Sequence, residues 1–269
     1  MSDTRPIGIF DSGVGGLTVA NAIKQILPSE NIVYYGDTSH LPYGDKSPET
    51  IRHYSKGITH FLLEQDCKII VIACNSASAN AFPVVQEIAG NHIPVLNVID
   101  PVVDYISQSP DAKYVGVIGT KSTINSNSYQ KKIAGARKGV LVSSMATPLF
   151  VPMIEEGFIF DDISNAIIRN YLSRHEIGGI DSLILGCTHY PIIKNQVSKF
   201  YNFNVDVIDS SKIVANSLKQ LLIANKLLNT DTADAVRKFY VSDITHSFRV
   251  ISKMFFEEEV DLELNSIWD

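Results

Sequence analysis

The 269-residue sequence lacks most of what would direct it to a membrane, a nucleic acid or an oxidising compartment. No apolar run reaches the ~18 residues of a membrane-spanning helix. The start, MSDTRPIGIFDSGVGG, has no basic stretch leading into an apolar one, so no signal peptide is expected. Lysine and arginine number 23 against 29 acidic residues, a net charge of −6. No basic cluster is present that would track phosphates, which argues against nucleic acid and anionic membrane surfaces as partners. Cysteines are few: Cys67, Cys74 and Cys187. They are too few for a disulfide framework, and their spacing is not that of a zinc site. A reducing cytosol is the expected compartment. Nucleotide signatures are missing too. Gly13, Gly15 and Gly16 of DSGVGG have the wrong spacing for a dinucleotide fingerprint, and no Lys–Ser/Thr pair of a phosphate-binding loop follows.

What is present is an ordinary globular composition, 45% hydrophobic and 19% charged, in a chain long enough for one large or two medium domains. Short apolar runs recur: IGIF (7–10), NIVYY (31–35), KIIVIA (68–73), PVLNV (94–98), YVGVIG (114–119), VLVSS (140–144), SLILG (182–186) and VDVID (205–209). Continuous rather than alternating runs suit strands buried on both faces, as in parallel sheets. Between them lie helical spacings. Leu17, Ala20, Ile23 and Leu27 share a face, as do Ile51, Tyr54, Ile58 and Leu62, and residues 161–175 open with acidic residues at a plausible helix start. The alternation predicts an α/β protein with mainly parallel sheets. An internal echo divides it. KIIVIACNSA (68–77) and DSLILGCTHY (181–190) share a plan, and IGIFDSGVGG (7–16) resembles VGVIGTKST (115–123) at nearly the same offset. Two similar α/β halves are expected.

Ligands of open parallel sheets sit beyond the carboxyl ends of the strands. Cys74 and Cys187 occupy that position in their respective halves, so facing halves would set two thiols across one cleft. Cys67, ahead of its run, reads as a buried, inert cysteine. One thiolate can remove a proton from carbon while the opposite thiol delivers one to the other face, inverting a stereocentre. A helix N-terminus lowers a thiol pKa, and Asn75/Ser76 and Thr188 are good capping types at plausible helix starts. Asp11 and His189 are candidates to assist proton transfer or tune the thiols. The DSGVGG glycines would let backbone N–H groups approach an anion at a helix start. In YYGDTSHLPYG (34–44), Pro42 fixes φ and Gly44 permits positive φ, which would aim backbone donors at a ligand.

FDSGVGGLTV, YYGDTSHLPYG, ACNSAS, IGTKSTINSNSY and LGCTHYP, in that order, resemble the glutamate racemases of the aspartate/glutamate racemase superfamily. The resemblance covers nearly the whole chain. It implies cofactor-independent interconversion of L- and D-glutamate for peptidoglycan, with Cys74 and Cys187 as the acid/base pair and no metal. It implies substrate contacts from Asp11, Ser12, Tyr43, Gly44, Asn75, Ser76, Thr120, Thr188 and His189, with Asp11 and His189 also assisting the thiols. A glutamate of PMIEEG is implicated, Glu155 or Glu156, and Glu155 is the one chosen here. The family fold is two α/β domains with the site between them, here 1–98 with 211–269, and 99–210; a cytoplasmic homodimer is implied. Ser76 departs from the family's usual threonine. It keeps the hydroxyl and loses the methyl.

A racemase of another acidic amino acid, such as aspartate, would need the same thiols and differ in pocket length. A two-lobed anion-binding protein without catalysis would need no matched cysteines. A nicotinamide oxidoreductase fails on glycine spacing. A pyridoxal-phosphate racemase needs a Schiff-base lysine, and its absence from the ACNSAS and LGCTHYP motifs counts against that chemistry.

Overall fold

The structure, a computed structural model, describes residues 2–268. Its described residues form ten strands: β1 (Ile7–Asp11), β2 (Ile32–Gly36), β3 (Ile69–Ile72), β4 (Val95–Asn97), β5 (Tyr114–Gly119), β6 (Leu141–Ala146), β7 (Ser182–Gly186), β8 (Asp206–Ile208), β9 (Arg237–Val241) and β10 (Leu262–Leu264). All residues of β1, β2, β3 and β7 are buried, as continuous apolar runs require. Two sheets result. One has the order β10-β9-β2-β1-β3-β4 and the other β6-β5-β7-β8, with every pairing parallel.

The order β2-β1-β3-β4 repeats as β6-β5-β7-β8, so the internal echo is a repeated topology. β1 corresponds to β5 and β3 to β7, the pairs that echo in sequence. β9 and β10 escape the sequence reading. β9 mixes buried Phe239 and Val241 with half-buried Arg237 and Tyr240 and exposed Lys238, and β10 is three residues long at the sheet edge.

Helices follow their apolar faces. Leu17–Ile26 buries Leu17, Ala20 and Ile23, and Pro48–Glu64 buries Ile51, Ile58 and Leu62. Asp162–Leu172 is capped by Asp161, whose carboxylate accepts the Ser164 N–H at 2.7 Å. The helix Ser210–Ala224 packs on both Leu17–Ile26 and Asp100–Gln108. One apolar core therefore runs from Ile9 and Leu17 through Leu218 to Leu185, tying the two sheets together.

At the opposite end of β3 from the cysteine, Lys68 and Glu30 form a wholly buried ion pair at 2.6 Å. Lys68 Nζ also donates to the Asp3 carbonyl at 2.6 Å, and Glu30 Oε1 accepts the Asn229 N–H at 2.8 Å. Removing one partner strands a charge in the core. Lys68→Met should cost about 3–5 kcal/mol in urea unfolding, and a loss below about 1 kcal/mol would mean the pair behaves as a solvated surface pair.

Candidate active site

Asp11 ends β1, and its carboxylate is fully buried. Oδ2 accepts the N–H groups of Gly16 (2.8 Å) and Gly13 (3.3 Å), while Oδ1 has no hydrogen-bond partner. Burial pushes its pKa up, and the His189 charge and the backbone amides oppose the rise.

Cys74 follows β3 and is itself the N-cap of the helix Asn75–Ala89. Its Sγ accepts the Ala77 N–H at 3.4 Å, and its S–H points to Ser12 Oγ at 3.7 Å. Burial, reinforced by the Asp11 charge, pushes the thiol pKa far up despite the amide and Ser12 contacts. The helix start does not offset burial. The thiolate is thereby scarce at rest and a strong base once formed.

Cys187 follows β7. Thr188 does not cap a helix: a 3₁₀ turn, Tyr190–Ile193, intervenes before the helix Lys194–Phe200. His189 Nδ1 lies 3.8 Å from Cys187 Sγ, and His189 Nε2 donates to Glu155 Oε1 at 2.9 Å. Burial disfavours the cation, but hydrogen bonds to Cys187 and Glu155 outweigh it and raise the His189 pKa to about 10. When protonated, His189 can donate from both ring nitrogens, to Glu155 from Nε2 and towards Cys187 Sγ from Nδ1. Glu156 is the C-cap of the helix Phe150–Glu155 and lines neither the cavity nor the hollow beside it.

The glycines admit side chains. A Cβ on Gly15 would lie 2.4 Å from His189 Nδ1, and one on Gly16 would lie 2.5 Å from the Asp11 Cβ. Gly15 and Gly16 also leave room for His189 and Asp11 to approach closely, while the N–H groups of Gly13 and Gly16 face the Asp11 carboxylate. Gly44 likewise has no positive φ; its missing Cβ makes room for Thr120, whose Cβ would be 2.7 Å away.

Ser12, Tyr43, Gly44, Cys74, Asn75, Ser76, Thr120, Cys187, Thr188 and His189 line one cavity between the sheets. Asp11 lies behind it. Glu155 faces a neighbouring hollow of about 210 Å³ that shares Leu41, Pro42, Gly44, Thr120 and Val151 with the cavity. The cavity measures about 30 Å³, roughly one water molecule's share of liquid volume. An amino acid is larger than this, and the adjoining hollow behind Leu41, Pro42, Gly44, Thr120 and Val151 is the space continuous with the cavity wall. Side chains cross between the halves: Ser76 Oγ meets Thr120 Oγ1 at 2.9 Å, Tyr129 O–H donates to Asn75 Oδ1 at 2.8 Å, and Thr18 Oγ1 donates to the Thr188 carbonyl at 3.0 Å. Among the described residues, no group of three or more His, Cys, Asp or Glu is placed to hold a metal ion.

The family model of the Asp/Glu/Hydantoin racemases matches residues 15–218, from the glycine turn through Cys74 and Cys187. The chain belongs to this family. It is an isomerase. A curated glutamate racemase of Chlorobium phaeobacteroides is 44% identical over 260 residues, covering 96% of this chain and 95% of that protein. The crystal structure of the Francisella tularensis glutamate racemase in complex with D-glutamate matches with a TM-score of 0.93 and 44% identity, covering 99% of each chain. That of glutamate racemase RacE1 from Bacillus anthracis matches with a TM-score of 0.92 at 32% identity, covering 98% of each chain.

Thr18, Thr123 and Tyr129 support the racemase cleft and were not singled out from sequence. Tyr129 and Thr123 lie in or beside the motif IGTKSTINSNSY, but only their partners Asn75 and Ser76 reveal their use. The Glu155–His189 bond yields a pH prediction. His189 loses its proton as pH rises through about 10, and Glu155 is one of the groups holding that value up. Glu155→Gln should move the alkaline limb of kcat/KM towards neutral pH in a pH–rate profile. An unchanged limb would remove His189 from that titration.

Proposed function

We propose that this protein interconverts L- and D-glutamate by proton transfer at Cα between Cys74 and Cys187, without a cofactor. The observation that supports it most is the pair of thiols at the ends of equivalent strands, β3 and β7, lining one cavity. In this reading one cysteine, as thiolate, takes the Cα proton. The electron pair left behind delocalises into the adjacent carboxylate. The S–H of the other cysteine then protonates the opposite face and becomes the thiolate.

No lysine or arginine lines the cavity. Carboxylates of the substrate would be held by neutral donors: the hydroxyls of Ser12, Ser76, Thr120 and Thr188, and the amide of Asn75, whose Nδ2 is buried without a partner. The start of the helix Asn75–Ala89 adds its dipole. The unpartnered Asp11 Oδ1, buried just behind the lining, would take the substrate ammonium once the cavity widens around the ligand. Tyr43 and Gly44 would close the wall. The names of the curated relatives favour glutamate over aspartate. We further propose two domains, 1–98 with 211–269 and 99–210, and a cytoplasmic homodimer supplying D-glutamate to peptidoglycan synthesis.

Circular dichroism of the purified protein with L-glutamate and no added cofactor tests the reading. The signal should decay to zero, and D-glutamate should approach zero from the opposite sign. Racemisation of aspartate but not glutamate would favour the aspartate alternative, and no turnover of either would favour a binding protein.

A further inference from the structure

Asp37 is the first residue beyond β2, and its carboxylate is fully buried. It gathers donors from three separate parts of the chain. Oδ2 accepts the Tyr43 hydroxyl at 2.7 Å, and Oδ1 accepts Ser242 Oγ and Trp268 Nε1, each at 2.9 Å. His40 Nδ1 lies 2.9 Å and 3.0 Å from the two oxygens. Tyr43 lines the catalytic cavity. Its hydroxyl is committed to Asp37, so the tyrosine serves the cavity through the position of its ring and of Gly44 beside it.

Trp268 closes the far side of this network. Its indole meets His40 and Tyr54 edge-on, with centroids 4.9 Å and 5.4 Å apart. It also rests on Gly57, where a Cβ would lie 2.7 Å from Cζ3 of the indole. Gly57 stands inside the helix Pro48–Glu64, a position where alanine is intrinsically favoured. The indole fills the space that a side chain at this position would need. The segment holding Trp268 is fixed in turn, since Asn265 N donates to the Val241 carbonyl at 2.9 Å and the Asn265 carbonyl accepts the Tyr35 hydroxyl at 3.0 Å.

We propose that Trp268 and Asp37 are positioning residues that act through Tyr43 to set the affinity of the catalytic cavity for its substrate. Seating the indole orients the Asp37 carboxylate, which holds Tyr43 and the Pro42–Gly44 wall against Thr120. The inference rests on the racemase reading for its kinetic arm and not for its spectroscopic one.

The test uses the full chain. Its single tryptophan makes emission a report on this indole alone. Trp268→Phe keeps a ring on Tyr54 and removes the donor to Asp37. Loss of a hydrogen bond to a carboxylate should raise KM for both glutamate enantiomers by about five- to tenfold with kcat within about twofold. Gly57→Ala favours the helix yet displaces the indole. It should raise KM in the same way and shift tryptophan emission to longer wavelength, although a purely structural reading would expect a neutral or stabilised protein. Tyr43→Phe combined with Trp268→Phe should give less than the product of the single effects, because both act on one carboxylate. Parental KM and emission in Gly57→Ala, or independent effects in the double variant, would overturn the proposal. Emission requires no turnover. If the parent failed to racemise glutamate, the racemase reading would fall on that result, while unshifted emission in Gly57→Ala would separately overturn the clamp.

Discussion

Cys74→Ser and Cys187→Ser should each abolish racemisation, and each should keep a different half of the chemistry. A serine hydroxyl is a far weaker acid than a thiol, so the two-face exchange fails in both variants. Loss of one acid/base group costs about 10²–10⁴-fold in rate. Elimination from a β-substituted glutamate needs only one base: the Cα proton goes to the remaining thiolate and the leaving group departs with the Cβ–X electron pair. In the proposed mechanism, the resemblance to glutamate racemases leads us to expect Cys74 to take the proton of the D-isomer and Cys187 that of the L-isomer. Cys74→Ser should therefore retain elimination from the L-form, and Cys187→Ser from the D-form. The surroundings of the thiols give the variants different backgrounds. Cys74 sits beside Ser12 and in the field of Asp11, whereas Cys187 sits beside His189, itself held by Glu155. Elimination measured with both enantiomers is the check. Both variants acting on the same enantiomer would contradict opposed thiols.

Gly15→Ala should be nearly as damaging to activity without touching either cysteine. The added Cβ would lie 2.4 Å from His189 Nδ1 and 2.7 Å from Thr188 Oγ1. Neither neighbour can retreat freely, since His189 is bonded to Glu155 and the Thr188 carbonyl accepts Thr18 Oγ1. A displacement of about 1 Å in a reacting array costs about 10²-fold, and overpacking adds about 1–3 kcal/mol of destabilisation. Gly135→Ala is the contrast. It lies within the helix Ser128–Ala136 with nothing within 4 Å of the added Cβ, so it should stabilise by about 0.4–1 kcal/mol and leave turnover unchanged. Steady-state kinetics and urea unfolding of the two variants provide the comparison. Equal activity in both would show that His189 is not held where the geometry places it.

The parts of the fold that were legible in the sequence are those where burial is uniform. SLILG reads as a strand because β7 is covered on both faces, and the echo between 68–77 and 181–190 reads as two halves because β3 and β7 hold equivalent places in equivalent sheets. β9 was not legible, because a strand with mixed burial carries no continuous apolar run. In the site, the cysteines were legible from their place at strand ends. The reason for Gly15 was not, because the atoms it makes room for, in His189 and Thr188, lie more than 170 residues away in sequence. Asp37 was hidden in the same way. It sits in a segment quoted for its Pro42 and Gly44, while its partners Ser242 and Trp268 come from the last strands and tail.

The central claim is that two thiols work on opposite faces of one carbon, and the fate of the Cα hydrogen tests it most directly. L-Glutamate would be converted in D₂O and sampled early, with both enantiomers separated and their Cα deuterium measured by mass spectrometry. Opposed thiols predict D-glutamate that carries solvent deuterium and recovered L-glutamate that keeps its original hydrogen, because the proton removed rests on one sulfur and the proton delivered comes from the other. D-glutamate that retained the original Cα hydrogen would mean a single group carries the proton from face to face, and the account would be wrong.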